Sequence, residues 1–298
     1  MNVTSVPPPA DERTAGGGTD ATESALSSER PFPGLRPFVF ADRNFFFGRE
    51  SQAFALYRLV ENGRFVAVVG SSGSGKSSLV LAGLCDLIDQ ETNDPNGPSW
   101  VWRNMRPGGA PIRRLAETLA RISTPDGSDC AQLRDRIDSR LRQTSFSLES
   151  ALKETGGLGG RRLLLIVDQF EELFRFGLAG LGQRRAGLVE AKARDEATLF
   201  VQILLDADRR RLPNVHVLVT MRSDFIGDCA YFSGLPEAVS ATQYLVPSLT
   251  RSQREEVIRR PIEKAGGSIE PELVERLLND CADELDPLPV LQHCLMRL

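Results

Sequence analysis

The residues best suited to chemistry lie between positions 65 and 78, where an apolar run enters a loop of glycine and serine that ends in Lys76 and Ser77. The spacing GxxxxGK[ST] is typical of a phosphate-binding loop, since glycines let backbone N–H groups turn inward and the next helix adds a favourable dipole. Lys76 is expected to contact the β and γ phosphates of a nucleotide, and the Ser77 hydroxyl is expected to bind Mg²⁺. The candidate nucleotide-binding residues are Gly70, Ser71, Ser72, Gly73, Ser74, Gly75, Lys76, Ser77 and Ser78.

A second candidate segment is LLLIVDQFEELF, residues 163–174. Asp168 ends an apolar run, so its carboxylate is expected at the carboxyl edge of a sheet, where it can hold Mg²⁺ through water. Glu171 and Glu172 follow, and one of them can orient or deprotonate an attacking water. The alternative is that both glutamates only favour the start of a helix.

A third segment, VLVTMRSDF, places Thr220 and Arg222 at the end of another apolar run. Arg222 carries a permanent charge and a planar set of donors, so it is a candidate sensor of the γ-phosphate. The alternative is a structural ion pair with Asp224 or Asp228.

The elements that must position these residues alternate between short apolar runs and helical patterns. This alternation predicts an α/β fold with a five-stranded parallel sheet and helices on both faces. The predicted strands are 65–69, 100–105, 162–168, 215–221 and 243–246. The predicted helices are 51–62, 79–88, 111–122, 129–154 and 186–210.

The composition changes along the chain predict three parts. Residues 1–30 are rich in Pro, Gly, Ser and Thr and are expected to form a disordered tail. Residues 31–248 form the core. Residues 249–298 form a small helical domain, in which Thr250 and Gln253 match a capping box and Pro271 suits the first turn of a second helix.

Composition also limits the function. The net charge of −4 argues against nucleic acid as a partner. Five scattered cysteines without a CxxC pair indicate a reducing, cytoplasmic environment. The sequence has no secretory signal pattern and no apolar run of about 18 residues, so no membrane association is expected.

Together these segments resemble the STAND class of P-loop ATPases, and in particular the bacterial subgroup novel STAND NTPase 1. The resemblance covers about residues 31–298. It is carried by PFPGLRPF, FFFGRE, the phosphate loop, LLLIVDQFEELF, VTMRSDFIGDC and LPVLQHCLMRL.

The resemblance adds candidate residues for the adenine base. It implies that the GRE segment helps to hold adenine, which here gives Phe47, Gly48 and Arg49. It implies the same for a proline of the helical domain, whose counterpart is Pro289. The three consecutive phenylalanines cannot all face a base, so at least one is expected to belong to the core.

The function implied is a Mg²⁺-dependent ATPase switch with slow turnover. ATP and ADP would control closure of the helical domain and self-association, in signalling or defence. Such proteins continue into a winged-helix domain and a sensor region that binds a protein or ligand, so the helical domain is expected to be incomplete.

Two alternatives remain, a non-catalytic nucleotide-binding module and a DNA loader related to AAA+ proteins. The absence of an NKxD segment favours ATP over GTP, and the absence of an LSGGQ-like segment argues against a transporter ATPase.

Overall fold

A computed structural model describes residues 30–123, 130–143, 147–177, 188–281 and 288–298. The predicted disordered tail, apart from residue 30, lies outside the described residues.

The core is a five-stranded parallel sheet in the order β2-β3-β4-β1-β5. Its strands are β1 (Phe65–Gly70), β2 (Trp100–Met105), β3 (Arg162–Val167), β4 (Val215–Arg222) and β5 (Gln243–Leu245). Each of the five predicted strands is therefore found, within one residue at either end. β1 is buried along its whole length, because side chains of alternating direction meet helices on both faces of the sheet.

The strand order brings the three candidate segments together. β4 lies between β1 and β3, and its residue Arg222 is paired with Gly70 at the start of the phosphate loop. On the other side, Val219 is paired with Val167, which places Thr220 beside Asp168. The register therefore puts the chemistry-bearing residues at one edge of the sheet.

Helices cover both faces of this sheet. One face carries α1 (Glu50–Asn62) and a continuous helix made of α2 (Lys76–Ser78), a π-helical segment (Leu79–Leu84) and α3 (Cys85–Asn93). The other face is covered mainly by α4 (Pro111–Ala120), α5 (Cys130–Arg142), α6 (Ser147–Glu154), α7 (Glu172–Gly177), α8 (Leu188–Arg209) and α9 (Leu235–Ala241). The α/β fold with helices on both faces is thus confirmed.

Three helices follow the sheet: α10 (Arg251–Lys264), α11 (Pro271–Asp280) and α12 (Leu288–Arg297). The predicted capping box is present, since the Gln253 backbone N–H donates to Thr250 Oγ1 over 3.2 Å and the Thr250 N–H donates to Gln253 Oε1 over 3.0 Å. The three helices share a small apolar core formed by Ile258, Val274, Leu278, Leu291 and Leu295. Phe32, which precedes the sheet by more than thirty residues, is buried in the same cluster.

No helix in the part of the chain that the structure describes combines the length and apolar character needed to cross a membrane.

Candidate functional site

A cavity of about 250 Å³ lies where the phosphate loop, the ends of β3 and β4, and the helical domain meet. We call its core-derived lining the polar part. It consists of Ser72, Gly73, Gly75, Lys76, Ser77, Ser78, Gln169, Glu171 and Arg222. The remaining lining is the apolar part, built mainly from Phe32, Pro37, Phe38, Phe45, Phe46, Phe47, Leu249, Val257, Leu288, Pro289, Leu291 and Leu295. Gly34, Leu35, Arg36, Arg49 and Gln292 complete the wall.

The phosphate loop has the conformation that its glycines predict. Gly73 and Gly75 have φ angles of 76° and 86°, a region that favours glycine over residues with a Cβ atom. Gly75 caps the N-terminus of α2, where backbone N–H groups lack partners within the helix. Lys76 Nζ donates to the carbonyl oxygens of Gly70 over 2.9 Å and of Ser71 over 2.5 Å. The two contacts of Lys76 therefore hold the loop curled around the lysine.

The two predicted metal ligands are in direct contact. Ser77 Oγ donates a hydrogen bond to Asp168 Oδ1 over 2.7 Å, and Thr220 Oγ1 donates to the same oxygen over 2.6 Å. Arg106 lies 3.5 Å from the other carboxylate oxygen, Asp168 Oδ2. Mg²⁺ takes oxygen ligands and keeps several waters, so one hydroxyl and one carboxylate beside bound phosphates fit its coordination.

The structure separates the two candidate acids. Glu171 lines the cavity, is 7% exposed, and its buried Oε2 has no hydrogen-bond partner among the described residues. Burial raises the pKa of the Glu171 carboxyl, while the nearby Lys76 charge and a hydrogen bond from the Arg222 backbone N–H oppose the rise. Glu172 instead accepts a hydrogen bond from the Gly108 N–H over 2.9 Å. Of the two acids, only Glu171 lines the cavity, and its Oε2 has no partner among the described residues.

Arg222 makes the predicted ion pair and also lies at the cavity. Its guanidinium pairs with Asp224, the alternative considered from the sequence, and lies 5.6 Å from the centre of the Phe225 ring. It also lines the cavity, and its buried Nε has no partner among the described residues. A γ-phosphate sensor at this position stays a prediction.

The FFFGRE segment connects the core to the helical domain. Phe46 packs against the core: its ring lies 5.7 Å from that of Phe38, and a Cβ on Gly83 would lie 3.0 Å from it. Phe47 faces the helical domain, where the Arg260 guanidinium lies 4.3 Å from its ring centre. Gly48 has a φ of 75°, and a Cβ there would lie 2.9 Å from the Gln253 carbonyl oxygen of α10. All three phenylalanines line the cavity, so none of them is purely a core residue.

Residues 31–38 form part of the cavity wall that the sequence analysis missed. The Phe38 backbone N–H donates to Ser78 Oγ over 3.1 Å, which ties the segment to the helix after the phosphate loop. At its other end Phe32 is buried in the helical domain, and Gln292 Nε2 donates to the Arg36 carbonyl over 3.1 Å. The segment therefore bridges the core and the helical domain, which the sequence did not predict.

Several predicted site residues lie behind the cavity wall. Gly48 contacts α10, and Gly70 and Ser71 hold Lys76 through their carbonyls. Asp168 reaches the cavity through Ser77. The predicted residues that line the cavity are Phe47, Arg49, Ser72, Gly73, Gly75, Lys76, Ser77, Ser78, Glu171, Arg222 and Pro289.

The parallel sheet, the curled loop at the end of β1 and the carboxylate at the end of β3 define a P-loop NTPase. Residues 31–298 match the family described as Novel STAND NTPase 1. Since the match covers most of the chain, the chain belongs to that family. No curated protein is similar enough in sequence to add to this assignment.

Solved structures support the fold at low sequence identity. The Drosophila ORC bound to DNA has a TM-score of 0.50 at 17% identity over 97% of this chain and 64% of its own. The Walker-type ATPase PABY2304 of Pyrococcus abyssi has a TM-score of 0.50 at 18% identity, over 88% of this chain and 68% of its own. The Aeropyrum pernix ORC1 protein in complex with DNA has a TM-score of 0.51 at 15% identity, over 83% and 58%. The chain thus spans roughly three fifths to two thirds of these proteins.

Two of these neighbours were solved with DNA. Identities below 20% show a shared fold and assign no partner to this chain.

Proposed function

We propose that the chain binds ATP with Mg²⁺ in the cavity between the core and the helical domain and hydrolyses it slowly. The observation that carries the proposal is the convergence on one cavity of the curled phosphate loop, the Ser77–Asp168 contact and Glu171, whose Oε2 has no partner among the described residues. The apolar part of the same cavity supplies surface for the faces of a base. Mg²⁺ held near Ser77 and Asp168 would neutralise charge on the phosphates.

Glu171 is the proposed general base. Its carboxylate is desolvated, which raises its pKa and strengthens it as a proton acceptor when ionised. We expect its Oε2 atom, which has no partner among the described residues, to accept a hydrogen bond from a water that attacks the γ-phosphate. Glu172, engaged with the Gly108 N–H, positions the neighbouring loop instead.

Nucleotide-dependent domain closure follows from the two-sided wall. Because the cavity takes residues from the core and from α10 and α12, a bound nucleotide stabilises the arrangement in which both are close. We propose that this closure, and the self-association expected for STAND proteins, form the output of the switch.

The matched pair Glu171→Gln and Glu172→Gln tests the catalytic assignment. Steady-state hydrolysis of Mg-ATP is measured with wild type and both variants, and ATP affinity is measured by calorimetry. Loss of a general base costs roughly 10²- to 10⁴-fold in turnover, so Glu171→Gln is expected to bind ATP but turn over at least ~100-fold more slowly.

Glu172→Gln is expected to keep most of its turnover. Equal turnover in wild type and Glu171→Gln would refute the base assignment. ATP binding without measurable hydrolysis by wild type would favour the non-catalytic module considered from the sequence.

A further inference from the structure

Arg49 is a buried cation whose contacts differ from those of an adenine-binding residue. It is 3% exposed, and no carboxylate among the described residues pairs with it. Its Nη2 donates to the Ser74 carbonyl oxygen over 3.0 Å, and its Nη1 donates to the Pro247 carbonyl oxygen over 2.8 Å. One guanidinium therefore joins the phosphate loop to the segment that leads from β5 into the helical domain.

The contact with Ser74 fixes the direction of a neighbouring N–H group. The peptide bond between Ser74 and Gly75 is trans, so its C=O and its N–H point in opposite directions. With the carbonyl directed at Arg49, the Gly75 N–H is directed away from Arg49. No described protein group accepts a hydrogen bond from this N–H, and Gly75 lines the cavity. Arg49 thereby presents a backbone donor of the loop to an anion.

The buried positive charge of Arg49 also favours an anion at the phosphate loop. A buried cation is costly unless an anion compensates it. Arg49 itself lines the cavity, close to Gly75: a Cβ on Gly75 would lie 3.9 Å from Arg49 Nη2. The nearest candidate for the compensating charge is a group bound by the phosphate loop.

We propose that Arg49 is a positioning residue for the phosphate chain of the nucleotide, holding the Ser74–Gly75 peptide with its N–H toward the phosphates. This inference rests on the proposed function and alters one part of it, since the family resemblance assigns Arg49 to adenine. If Arg49 serves the phosphates, its substitution should weaken binding of tripolyphosphate. If it serves adenine, its substitution should weaken binding of adenosine.

The test measures the two halves of ATP separately. Tripolyphosphate with Mg²⁺ and adenosine are titrated calorimetrically into wild type, Arg49→Gln and Arg58→Gln. Arg58 lies on the same helix, is 60% exposed and pairs with Glu61, so its substitution controls for the lost charge. Arg49→Gln is expected to bind tripolyphosphate about 10-fold more weakly, the size of one charge-assisted hydrogen bond, and adenosine as wild type does.

Two outcomes would overturn the inference: loss of adenosine affinity alone, which assigns Arg49 to the base, or equal loss for both ligands, which marks a general structural role. If Arg49→Gln folds poorly, Arg49→Lys carries the test. Lysine keeps the charge but lacks the planar fork that reaches both carbonyls, so selective loss of tripolyphosphate affinity is still expected. Full tripolyphosphate affinity in Arg49→Lys would contradict the geometric role.

Lys76→Ala distinguishes failure of this inference from failure of the proposed function. If wild type binds neither ATP nor tripolyphosphate, the proposed function fails. If wild type binds both, Lys76→Ala loses both and Arg49→Gln loses neither, only the role of Arg49 is wrong.

Discussion

The polar and apolar parts of the cavity are built in different ways. The polar part comes from the ends of neighbouring strands of one sheet and from the residues that directly follow them. Hydrogen bonds such as Ser77–Asp168 and Thr220–Asp168 hold it. The apolar part comes from residues 31–38 and FFFGRE, which are close in sequence, and from the helical domain, which follows them by about 200 residues. Apolar packing and a few surface contacts, such as the Arg260–Glu50 pair at 3.1 Å, hold these segments together.

Because of this difference, we expect the polar part to be rigid and the segments of the apolar part to move relative to one another. Strand ends fixed by a parallel ladder give a phosphate site with little freedom. Segments joined by packing across a domain boundary can separate, since exposed ion pairs of this kind contribute about 0–1 kcal/mol. We therefore expect the polar part to set phosphate affinity and the apolar part to couple nucleotide binding to domain closure.

The largest expected effect on affinity is in the polar part. Lys76→Ala removes the charge that we expect to contact phosphate oxygens. Hydrogen bonds to charged groups contribute about 1.5–3 kcal/mol, or roughly 10- to 150-fold in ATP affinity. Calorimetric titration measures the loss, with Lys153→Ala as a control on an exposed lysine. Unchanged ATP affinity in a folded Lys76→Ala protein would remove the basis of the nucleotide assignment.

The next effect lies in the apolar part. Phe47→Ala removes apolar surface from the cavity wall, which is expected to cost ~1–3 kcal/mol, or roughly 5- to 150-fold in affinity. ATP and ADP should lose affinity alike, because both carry the base. Phe54→Ala is the matched control: Phe54 lies on α1, is 58% exposed and does not line the cavity.

A loss of stability in Phe47→Ala without a specific loss of affinity would show that Phe47 serves packing against Arg260 only. Pro289→Ala compared with Val290→Ala applies the same reasoning to α12, because Pro289 lines the cavity and Val290 is 65% exposed.

A smaller effect is expected on the ratio of ATP to ADP affinity, for which Arg222 is the candidate residue. Arg222→Ala should reduce the preference for ATP over ADP by roughly 10-fold, one hydrogen bond to a charged group. Arg175 lies at the same 5.6 Å from the Phe225 ring but does not line the cavity, so Arg175→Ala is the control. Equal loss of ATP and ADP affinity in Arg222→Ala would leave Arg222 with its structural role beside Asp224.

The smallest expected effect is on stability in the absence of nucleotide. The folded-state pKa of Glu171 is raised by burial, so its ionised form destabilises the fold at neutral pH. Glu171→Gln is therefore expected to be more stable than wild type at pH 7. As the pH falls through the raised pKa toward about 4.3, the unfolded value, folded Glu171 gains its proton first and the difference should vanish.

Urea unfolding across this pH range measures that difference, with Glu149→Gln as a control for removing an exposed carboxylate. A Glu171→Gln protein that is less stable than wild type at pH 7 would show that the carboxylate supports the empty fold.

The sequence correctly placed the residues of the polar part at one edge of the sheet, because its signals are local. An apolar run before GSSGSGKS and another before Asp168 are enough to place both at one sheet edge. The sequence could not show which of Glu171 and Glu172 lines the cavity. The difference depends on the hydrogen bond from Gly108 to Glu172, and Gly108 lies 64 residues earlier.

The apolar part was predicted only through family resemblance. Phe32 packs against residues more than 200 positions later, and such long-range contacts leave no periodic pattern in either segment. The hydrogen bonds of Arg49 with Ser74 and Pro247 also join residues far apart in sequence, so no local pattern predicts them. Domain boundaries at 30 and 248 stay predictions of the sequence.

The most direct test of the account is whether ATP uses both parts of the cavity at once. Calorimetric titration of wild type with Mg-ATP, Mg-tripolyphosphate and adenosine gives three affinities under one set of conditions. We predict one ATP site per chain, for which both smaller ligands compete, and an ATP affinity well above that of either. ATP that binds no more tightly than tripolyphosphate, or does not bind, would contradict it.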